Sequence, residues 1–189
     1  MIPAVILAAG ASTRLGEPKQ LAMLAGETLL ERAVRVAREA GCEPVVVVLG
    51  AAYVEILAHN QLRDAVPVIN DKWMEGMASS IRLGVRTLGF IAKDAEGVLL
   101  MTCDQPAVTV QHLNRVMLRQ EVKASRYGER NGVPAYFPKK YFNDLMALTG
   151  DAGAKSLLSQ ARSEDLAHGD LDIDTPEDLA RARELFGQG

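Results

Sequence analysis

Four uninterrupted apolar runs occur along the chain, and stretches with helical periodicity separate them. The runs cover residues 2–9, 44–49, 66–69 and 97–101. Runs without polar alternation are typical of strands that are covered on both faces, as in a parallel sheet. The pattern therefore predicts four buried parallel strands.

Between these runs, apolar residues recur at helical spacing. In residues 28–40, Leu30, Val34 and Ala37 belong to an apolar stripe, charged residues occupy the remaining face, and Gly41 ends the predicted helix. Further helices are predicted over residues 53–62, 77–88 and 110–119. This alternation predicts an α/β fold with a doubly wound, mostly parallel sheet and right-handed crossovers.

The second half has a different pattern, which predicts a small subregion with a β-hairpin and helices. The predicted elements are strands 125–127 and 133–137 around a turn at 128–132, then helices 140–148 and 153–160. A closing helix to about Phe186 has Thr175 as N-cap, Pro176 as first residue and Asp178 completing a capping box. Since no linker, repeat or low-complexity tract interrupts the chain, we expect one domain over residues 1–189.

Composition is that of a globular protein rather than a disordered, collagenous or disulfide-scaffold one. The 189 residues are 48% hydrophobic and 24% charged, with a net charge of −3. A pI near 5.7 gives no bulk attraction to nucleic acid or anionic membrane. We therefore expect neither as a partner, and any polyanion must be bound by a local site.

The cysteines and the N-terminus indicate a cytoplasmic protein. Cys42 and Cys103 lie beside or inside apolar runs, show no zinc-type spacing and are expected to be buried thiols. The apolar N-terminus lacks a basic region and is shorter than the ~20 residues that span a bilayer.

The segment after the first strand is the most informative. It contains Leu7-Ala8-Ala9-Gly10 followed by Ala11-Ser12-Thr13-Arg14-Leu15-Gly16-Glu17-Pro18-Lys19. It lies at the carboxyl edge of the predicted sheet, where α/β folds bind ligands. Its small residues allow N–H groups to form an anion-binding nest, and Arg14 and Lys19 add positive charge. An ordinary flexible loop is the alternative, but the two cations favour a triphosphate site.

Two familiar phosphate motifs do not fit this loop. A Walker A loop has four residues between its glycines and then Lys-Ser or Lys-Thr, whereas five residues separate Gly10 from Gly16 and Glu17 follows. A dinucleotide fingerprint requires three glycines in a frame that here holds Ala8, Gly10 and Thr13.

Carboxylates and hydroxyls follow other predicted strands. Asp104 comes directly after the fourth strand, so its carboxylate should emerge beside the loop as a hard ligand suited to Mg²⁺, unless it serves only a turn. Asp172 and Asp174 flank Ile173, so on a strand both side chains would point to the same face. The alternative for Asp172 is that it only belongs to the segment that leads into the closing helix. Ser79 and Ser80 either bond a nucleobase or cap a helix.

Taken together, these segments resemble the nucleotidyltransferases of molybdenum cofactor biosynthesis, most closely the molybdenum cofactor cytidylyltransferases. The motifs that carry the resemblance are the first loop, Gly76-Met77-Ala78-Ser79-Ser80-Ile81, Cys103-Asp104-Gln105-Pro106, Gly132-Val133-Pro134 and Asp172-Ile173-Asp174-Thr175-Pro176-Glu177-Asp178. They cover nearly the whole chain. The resemblance implies a Rossmann-like nucleotidyltransferase fold with its acceptor side at the hairpin and helices of the second half.

The resemblance also implies roles for individual residues. The catalytic residues would be Arg14, Lys19 and Asp104. The nucleotide would be bound by Leu7, Ala8, Ala9, Gly10, Arg14, Lys19, Asn70, Gly76 and Ser80. Mg²⁺ would be held by Asp104 together with a second carboxylate, for which Asp174 is the first choice and Asp172 the second. The acceptor would be bound by Asn131, Gly132 and Pro134. Val133 departs from the His or Asn that relatives often carry before this proline, which leaves the acceptor open.

The implied reaction transfers CMP from CTP to the phosphate of molybdopterin and releases pyrophosphate, with a molybdoenzyme as a further partner. The attacking phosphate has a second pKa of about 6 and therefore needs no strong base. This agrees with the positions of His59, His112 and His168, which lie outside the motifs and are expected to be surface or interface residues.

The first motif favours CTP over GTP. Guanylyl enzymes tend to carry Leu-Ala-Gly-Gly there, and the methyl group of Ala9 narrows the space beside the base, which favours a pyrimidine. Three alternatives to this reaction stay open: GTP-dependent transfer to the same cofactor, nucleotidyl transfer to a sugar phosphate, and a non-catalytic role as a cofactor chaperone. Trp73 and Met74 either line the mouth of the cleft or pack on the surface.

Overall fold

A computed structural model describes residues 1–118 and 121–187, and within them one large sheet dominates the fold. The strands are β1 (Ala4–Ala8), β2 (Met23–Leu24), β3 (Glu27–Thr28), β4 (Val45–Leu49), β5 (Val66–Ile69), β6 (Gly97–Thr102), β7 (Lys123–Tyr127), β8 (Arg130–Pro138) and β9 (Arg162–Asp165). The large sheet has the order β5-β4-β1-β6-β8-β7-β9, whereas β2 and β3 form a separate pair. Strand β8 is antiparallel to both neighbours, and the other pairs in the sheet are parallel.

Helices cover both faces of this sheet. They are α1 (Leu29–Glu39), α2 (Tyr53–His59), α3 (Met77–Ile91), α4 (Val110–Met117), α5 (Phe142–Met146), α6 (Lys155–Leu158) and α7 (Pro176–Phe186). Alternate strand residues face opposite layers: Ile6 packs with α1 and α4, whereas Val5 packs with α3, α5 and α6. This arrangement confirms the doubly wound, mostly parallel sheet. Among the described residues, no helix has the length and apolar character required to cross a bilayer.

The predicted helix signals are largely confirmed, although several boundaries differ. Thr175 caps α7 with Asp178 in a capping box, and Pro176 is the first helical residue. The helix predicted over 53–62 ends at His59, the one over 77–88 continues to Ile91, and the one over 110–119 is seen to Met117. Arg119, the predicted end of that last helix, lies outside the described residues.

The second half contains the larger errors. The predicted β-hairpin is present, but its turn is shorter than the predicted 128–132: residues 128 and 129 form the turn, and residues 130–132 begin β8 and pair with β7. Strand β9 was not predicted, since it carries no apolar residue. It is held instead by pairing with β7 and by the ion pairs of Glu164 with Lys123 and Asp165 with Arg126. The helices predicted over 140–148 and 153–160 shorten to α5 and α6.

A small third core joins the end of the chain to the loop after β1. It buries Leu15 and Leu24 together with Leu171 and Ile173 and the inner face of α7. The segment 171–174 has no strand partner, so it is not the strand considered for the two aspartates. The backbone N–H of Ile173 nevertheless donates to the carbonyl of Asp104 at 2.9 Å. This core therefore brings the late acidic segment to the edge of the sheet.

Candidate functional site

A cleft of about 510 Å³ opens at the carboxyl ends of β1 and β6. Eight residues predicted to bind nucleotide or metal line it, namely Leu7, Ala8, Ala9, Gly10, Lys19, Gly76, Ser80 and Asp104. Trp73 and Met74 line it too, so the segment beside β5 forms part of its wall. The structure thus brings the loop after β1 and the carboxylate after β6 into one crevice.

Lys19 is the cation inside this cleft. It begins a 3-10 turn over Lys19–Leu21, and its backbone N–H donates to Oγ of Ser12 at 3.0 Å. Its Nζ donates to Oδ2 of Asp104 at 2.6 Å and to Oδ1 of Asp174 at 2.9 Å. Burial works to lower the pKa of Lys19, but the charge and hydrogen bond of Asp104, aided by Asp174, outweigh it and raise the pKa. Lys19 is therefore a permanent positive charge at neutral pH.

Arg14 lies elsewhere. Its Nη2 donates to Oδ2 of Asp174 at 2.7 Å, its side chain is 69% exposed, and it is not among the residues that line the cleft. Of the two cations predicted to clamp a triphosphate, Lys19 occupies the cleft and Arg14 holds the outer side of Asp174.

Asp104 and Asp174 fit a site for a divalent cation. Both carboxylates contact the same ammonium group, so they lie close enough to address one cation. The described residues contain no cluster of three or more His, Cys, Asp or Glu side chains that would enclose a metal. Mg²⁺ is commonly held by one or two carboxylates together with substrate phosphates, and this pair of hard oxygen donors suits that mode.

Asp172 lies in a different environment from Asp174. Asp172 is an exposed residue, but partial desolvation by the surrounding protein, together with the nearby charge of Asp104, raises the pKa of its carboxyl to about 6. It makes no ion pair among the described residues, and it lines a second cavity rather than the main cleft. The geometry thus favours Asp174 over Asp172 as the partner of Asp104.

The wall opposite the loop is built from Gly76 and Ser80. Gly76 has φ of +97°, and a side chain there would meet the carbonyl oxygen of Gly150 at 2.7 Å. Oγ of Ser80 accepts a hydrogen bond from Nδ2 of Asn70 at 2.9 Å, and Asn70 also bonds Ser79. Asn70 lies behind the lining rather than in it, so it orients the serine that faces the cleft.

A second cavity of about 290 Å³ adjoins the cleft and shares Met77, Thr102, Asp104 and Asp151 with it. Of the predicted acceptor residues, Asn131 and Gly132 line it and Pro134 does not. Nδ2 of Asn131 donates to the carbonyls of Leu158 and Ala161, at 3.0 and 3.1 Å, and so joins β8 to the end of α6. Pro134 is buried, and its carbonyl accepts a hydrogen bond from Oγ of Ser125 at 2.6 Å.

Several residues of these cavities were not singled out from the sequence. Gln20 lines the main cleft, and Tyr127, Arg130 and Lys155 line the second cavity. A methyl group at Gly132 would overlap the hydroxyl of Tyr127. Gln20 had one signal, its place directly after Lys19, whereas nothing local marks Tyr127 as part of a cavity.

The two thiols and the ring of His112 are buried. Cys42 and Cys103 are buried and free, as expected, and burial with the Asp104 charge raises the pKa of Cys103 to about 12. His112 was expected at the surface or at an interface, and this is wrong. It is 1% exposed, because α4 packs it against β7, where its Nε2 lies 2.7 Å from Oγ of Ser125.

Comparison with known proteins places this geometry in a family context. Residues 4–166 match the family model described as "MobA-like NTP transferase domain". The chain is 31% identical over 171 residues to "Nicotine blue oxidoreductase" of Paenarthrobacter nicotinovorans, covering 84% of this chain and 82% of that one. It is 30% identical over 198 residues to "Purine catabolism protein PucB" of Bacillus subtilis (strain 168), covering 95% and 94%. A "Probable molybdenum cofactor guanylyltransferase" of Opitutus terrae is 33% identical over 54% of this chain and 48% of its own.

Solved structures are similar over nearly the whole chain. Rv0371c of Mycobacterium tuberculosis H37Rv is 33% identical, with a TM-score of 0.84 and 97% of each chain covered. Its complex with manganese has 31% identity and a TM-score of 0.80, covering 97% of this chain and 98% of that one. A nucleotidyl transferase from Methanothermobacter thermautotroptrophicus has 27% identity and a TM-score of 0.80, covering 98% and 97%.

Proposed function

The chain belongs to the MobA-like NTP transferase family, and on that premise we propose that it transfers CMP from CTP to the phosphate of a molybdopterin-type acceptor. Nucleotidyl transfer is the chemistry of the family. What we propose for this chain is the nucleotide, CTP, and the acceptor, a molybdopterin-type phosphate. The observation that carries it is the meeting of Lys19, Asp104 and Asp174 beside the loop after β1, at the point where two cavities join.

The reaction forms one bond and breaks one. An oxygen of the acceptor phosphate attacks the α-phosphorus of CTP, the bond from that phosphorus to the β-phosphate oxygen breaks, and pyrophosphate leaves with the electron pair. Since a phosphate monoester is largely ionised at pH 7, no residue has to remove a proton. The task of the chain is to position the two substrates and to balance their charge.

The residues divide this task between the two cavities. The loop around Gly10 presents backbone N–H groups to the triphosphate, and Lys19 supplies a fixed positive charge beside it. Ser80 faces the base from the opposite wall. The second cavity, which shares Asp104 with the cleft, receives the acceptor between Asn131 and Gly132.

A divalent cation belongs to this proposal, with Asp104 and Asp174 as its protein ligands. When bound, such a cation neutralises phosphate charge as a Lewis acid. The manganese complex of the related Rv0371c supports a divalent ion for this fold. Mg²⁺ and Mn²⁺ both accept oxygen ligands, and we propose Mg²⁺.

The choice of CTP rests on Ala9, which lines the cleft where guanylyl enzymes tend to have glycine. Its methyl group reduces the space beside the base and so favours the smaller pyrimidine ring. GTP is the second candidate, because relatives of this chain are named as probable molybdenum cofactor guanylyltransferases.

One experiment tests nucleotide and acceptor together. The protein is incubated with each of the four nucleoside triphosphates and Mg²⁺, with and without molybdenum-bearing molybdopterin, and both pyrophosphate and the mass of the product are measured. We expect acceptor-dependent pyrophosphate release with CTP and a product heavier by one CMP residue.

Other outcomes would replace the proposal. A GMP adduct would select the guanylyl reaction, and turnover with a sugar phosphate alone would move the acceptor to another class. Tight binding of molybdopterin without pyrophosphate under any condition would indicate a cofactor carrier. Because one relative is named an oxidoreductase, NAD(P)H oxidation is followed in the same samples, and we expect none.

A further inference from the structure

Gln20 is a buried amide inside the nucleotide cleft. The residue is 1% exposed and follows Lys19 in the 3-10 turn. Its Nε2 donates to the carbonyl oxygen of Ala8 at 2.7 Å and to that of Gly10 at 3.2 Å. One side chain thus ties the last residue of β1 to the loop that follows it.

The orientation of this amide is determined by its partners. Turning it over would place Oε1 against two carbonyl oxygens, which cannot donate a hydrogen bond. In the observed orientation Oε1 itself has no partner within the described residues. A buried acceptor without a partner is unfavourable. The amide nevertheless keeps this orientation, because it allows Nε2 to donate to both carbonyl oxygens.

These contacts determine where the loop's N–H groups point. In a planar trans peptide the carbonyl and the next N–H face opposite directions. Gln20 holds the carbonyls of Ala8 and Gly10 inward, and the N–H of Ala51 holds that of Ala9 at 3.1 Å. The N–H groups of Ala9, Gly10 and Ala11 therefore face away from these partners. Gly10 and Ala11 are exposed, and their N–H groups donate to no acceptor in residues 1–118 or 121–187.

We propose that Gln20 is a positioning residue for the triphosphate, because its amide keeps the loop carbonyls inward and so presents successive backbone N–H groups to the phosphates. Successive backbone N–H groups can form an anion site without any charged side chain. The inference deepens the proposed function and rests on it, since it assumes that the cleft binds a nucleoside triphosphate.

The test replaces Gln20 by an apolar side chain of similar length. In Gln20→Met we expect the Kd for CTP, measured by calorimetry with Mg²⁺, to rise about 10-fold or more, the scale of one lost hydrogen bond to a charged group. The Kd for CMP should change less, so that the preference for CTP over CMP shrinks, and the KM of the acceptor should stay unchanged. Gln111→Met, on the exposed face of α4, is the matched control and should leave all three values unaltered.

A purely structural role would weaken CTP and CMP equally, and that result would overturn the proposal, as would unchanged CTP affinity in folded Gln20→Met. If circular dichroism shows that this variant does not fold, Gln20→Asn takes its place, because the shorter amide cannot reach both carbonyls. In the unaltered protein, addition of CTP should shift the amide proton resonances of Ala9, Gly10 and Ala11 by NMR, and resonances that stay unmoved would contradict the proposal without any variant.

Failure of this inference is separate from failure of the proposed function. If the unaltered protein releases pyrophosphate from CTP while Gln20→Met keeps the full preference for CTP over CMP, the function stands and the role of Gln20 falls. If the unaltered protein does not bind CTP, both fall.

Discussion

Nζ of Lys19 lies 2.6 Å from Oδ2 of Asp104, although 85 positions separate the two residues in the chain. The side chains are only 16% and 14% exposed, so water screens this ion pair incompletely. The contact places the positive charge of the nucleotide loop and the negative charge after β6 at one point of the cleft. Loss of Lys19 would leave Asp104 partly buried without this counter-charge, whereas loss of Asp104 would leave Lys19 paired with Asp174 alone.

Lys19→Met should abolish most of the nucleotidyl transfer. We expect kcat/KM for CTP to fall by about 10²-fold or more, the scale for removing one electrostatic stabiliser, as measured by pyrophosphate release. Lys93→Met, at an exposed position after α3, is the control and should retain full activity. Full turnover by Lys19→Met would refute its assignment.

Asp174 and Asp172 should differ in their effect on the divalent cation. Asp174 contacts Lys19 beside Asp104, whereas Asp172 lines the second cavity. In the presence of CTP, we expect Asp174→Asn to weaken Mn²⁺ binding by roughly 10-fold or more and Asp172→Asn to weaken it less, as followed by electron paramagnetic resonance. Asp144→Asn, exposed on α5, serves as the control. A larger loss in Asp172→Asn would reverse our choice of ligand.

Gly132→Ala should impair the acceptor and spare the nucleotide. The added methyl group would overlap the Tyr127 hydroxyl and displace that ring within the second cavity. We expect the KM of the acceptor to rise roughly 10-fold or more, since small displacements of positioning groups are costly, while the KM of CTP stays constant. At Gly89 a methyl group meets nothing within 4 Å, so Gly89→Ala is the matched variant. Equal acceptor kinetics in the two proteins would exclude this cavity as the acceptor site.

Stability should fall with acid because of His112. Burial, with the nearby Arg115 charge, lowers the pKa of His112 from 6.5 to about 4. Oγ of Ser125 donates to the carbonyl of Pro134, so Nε2 of His112 donates to Ser125 and Nδ1 would gain a proton with no acceptor. Between pH 6.5 and 4 the unfolded chain binds a proton that the folded chain does not. The free energy of unfolding therefore decreases by on the order of 3 kcal/mol as pH falls from 6.5 to 4. Above pH 6.5 the contribution of His112 to the free energy of unfolding is constant.

Urea denaturation across this pH range checks the effect of His112. We expect His112→Gln, which keeps a donor near Ser125, to show a flatter pH dependence than the unaltered protein. His59→Gln, on the exposed end of α2, should follow the unaltered protein. Parallel curves for the protein and His112→Gln would show that other groups govern its acid sensitivity.

Local patterns in the sequence were sufficient for the frame of the site. A buried strand needs an apolar run, and the residues after parallel strands meet at one sheet edge, so the loop from Leu7 to Lys19 and the carboxylate of Asp104 could be placed together in advance. The caps of the closing helix were equally local, since Thr175 and Asp178 stand three residues apart.

Long-range packing decided the rest. Strand β9 is polar and exists because β7 pairs with it, and Asp174 reaches Lys19 because Leu171 and Ile173 are buried with Leu15 in a core that joins the two ends of the chain. Arg14, which does not line the cleft, donates to the same Asp174. Such contacts depend on which distant surfaces exclude water from one another, and no local periodicity records that choice. The amino-acid order by itself therefore determined the parallel strands of the sheet, the edge at which the site lies and the type of chemistry, whereas the polar edge strand β9 and the partners of each charge were decided only by the tertiary structure.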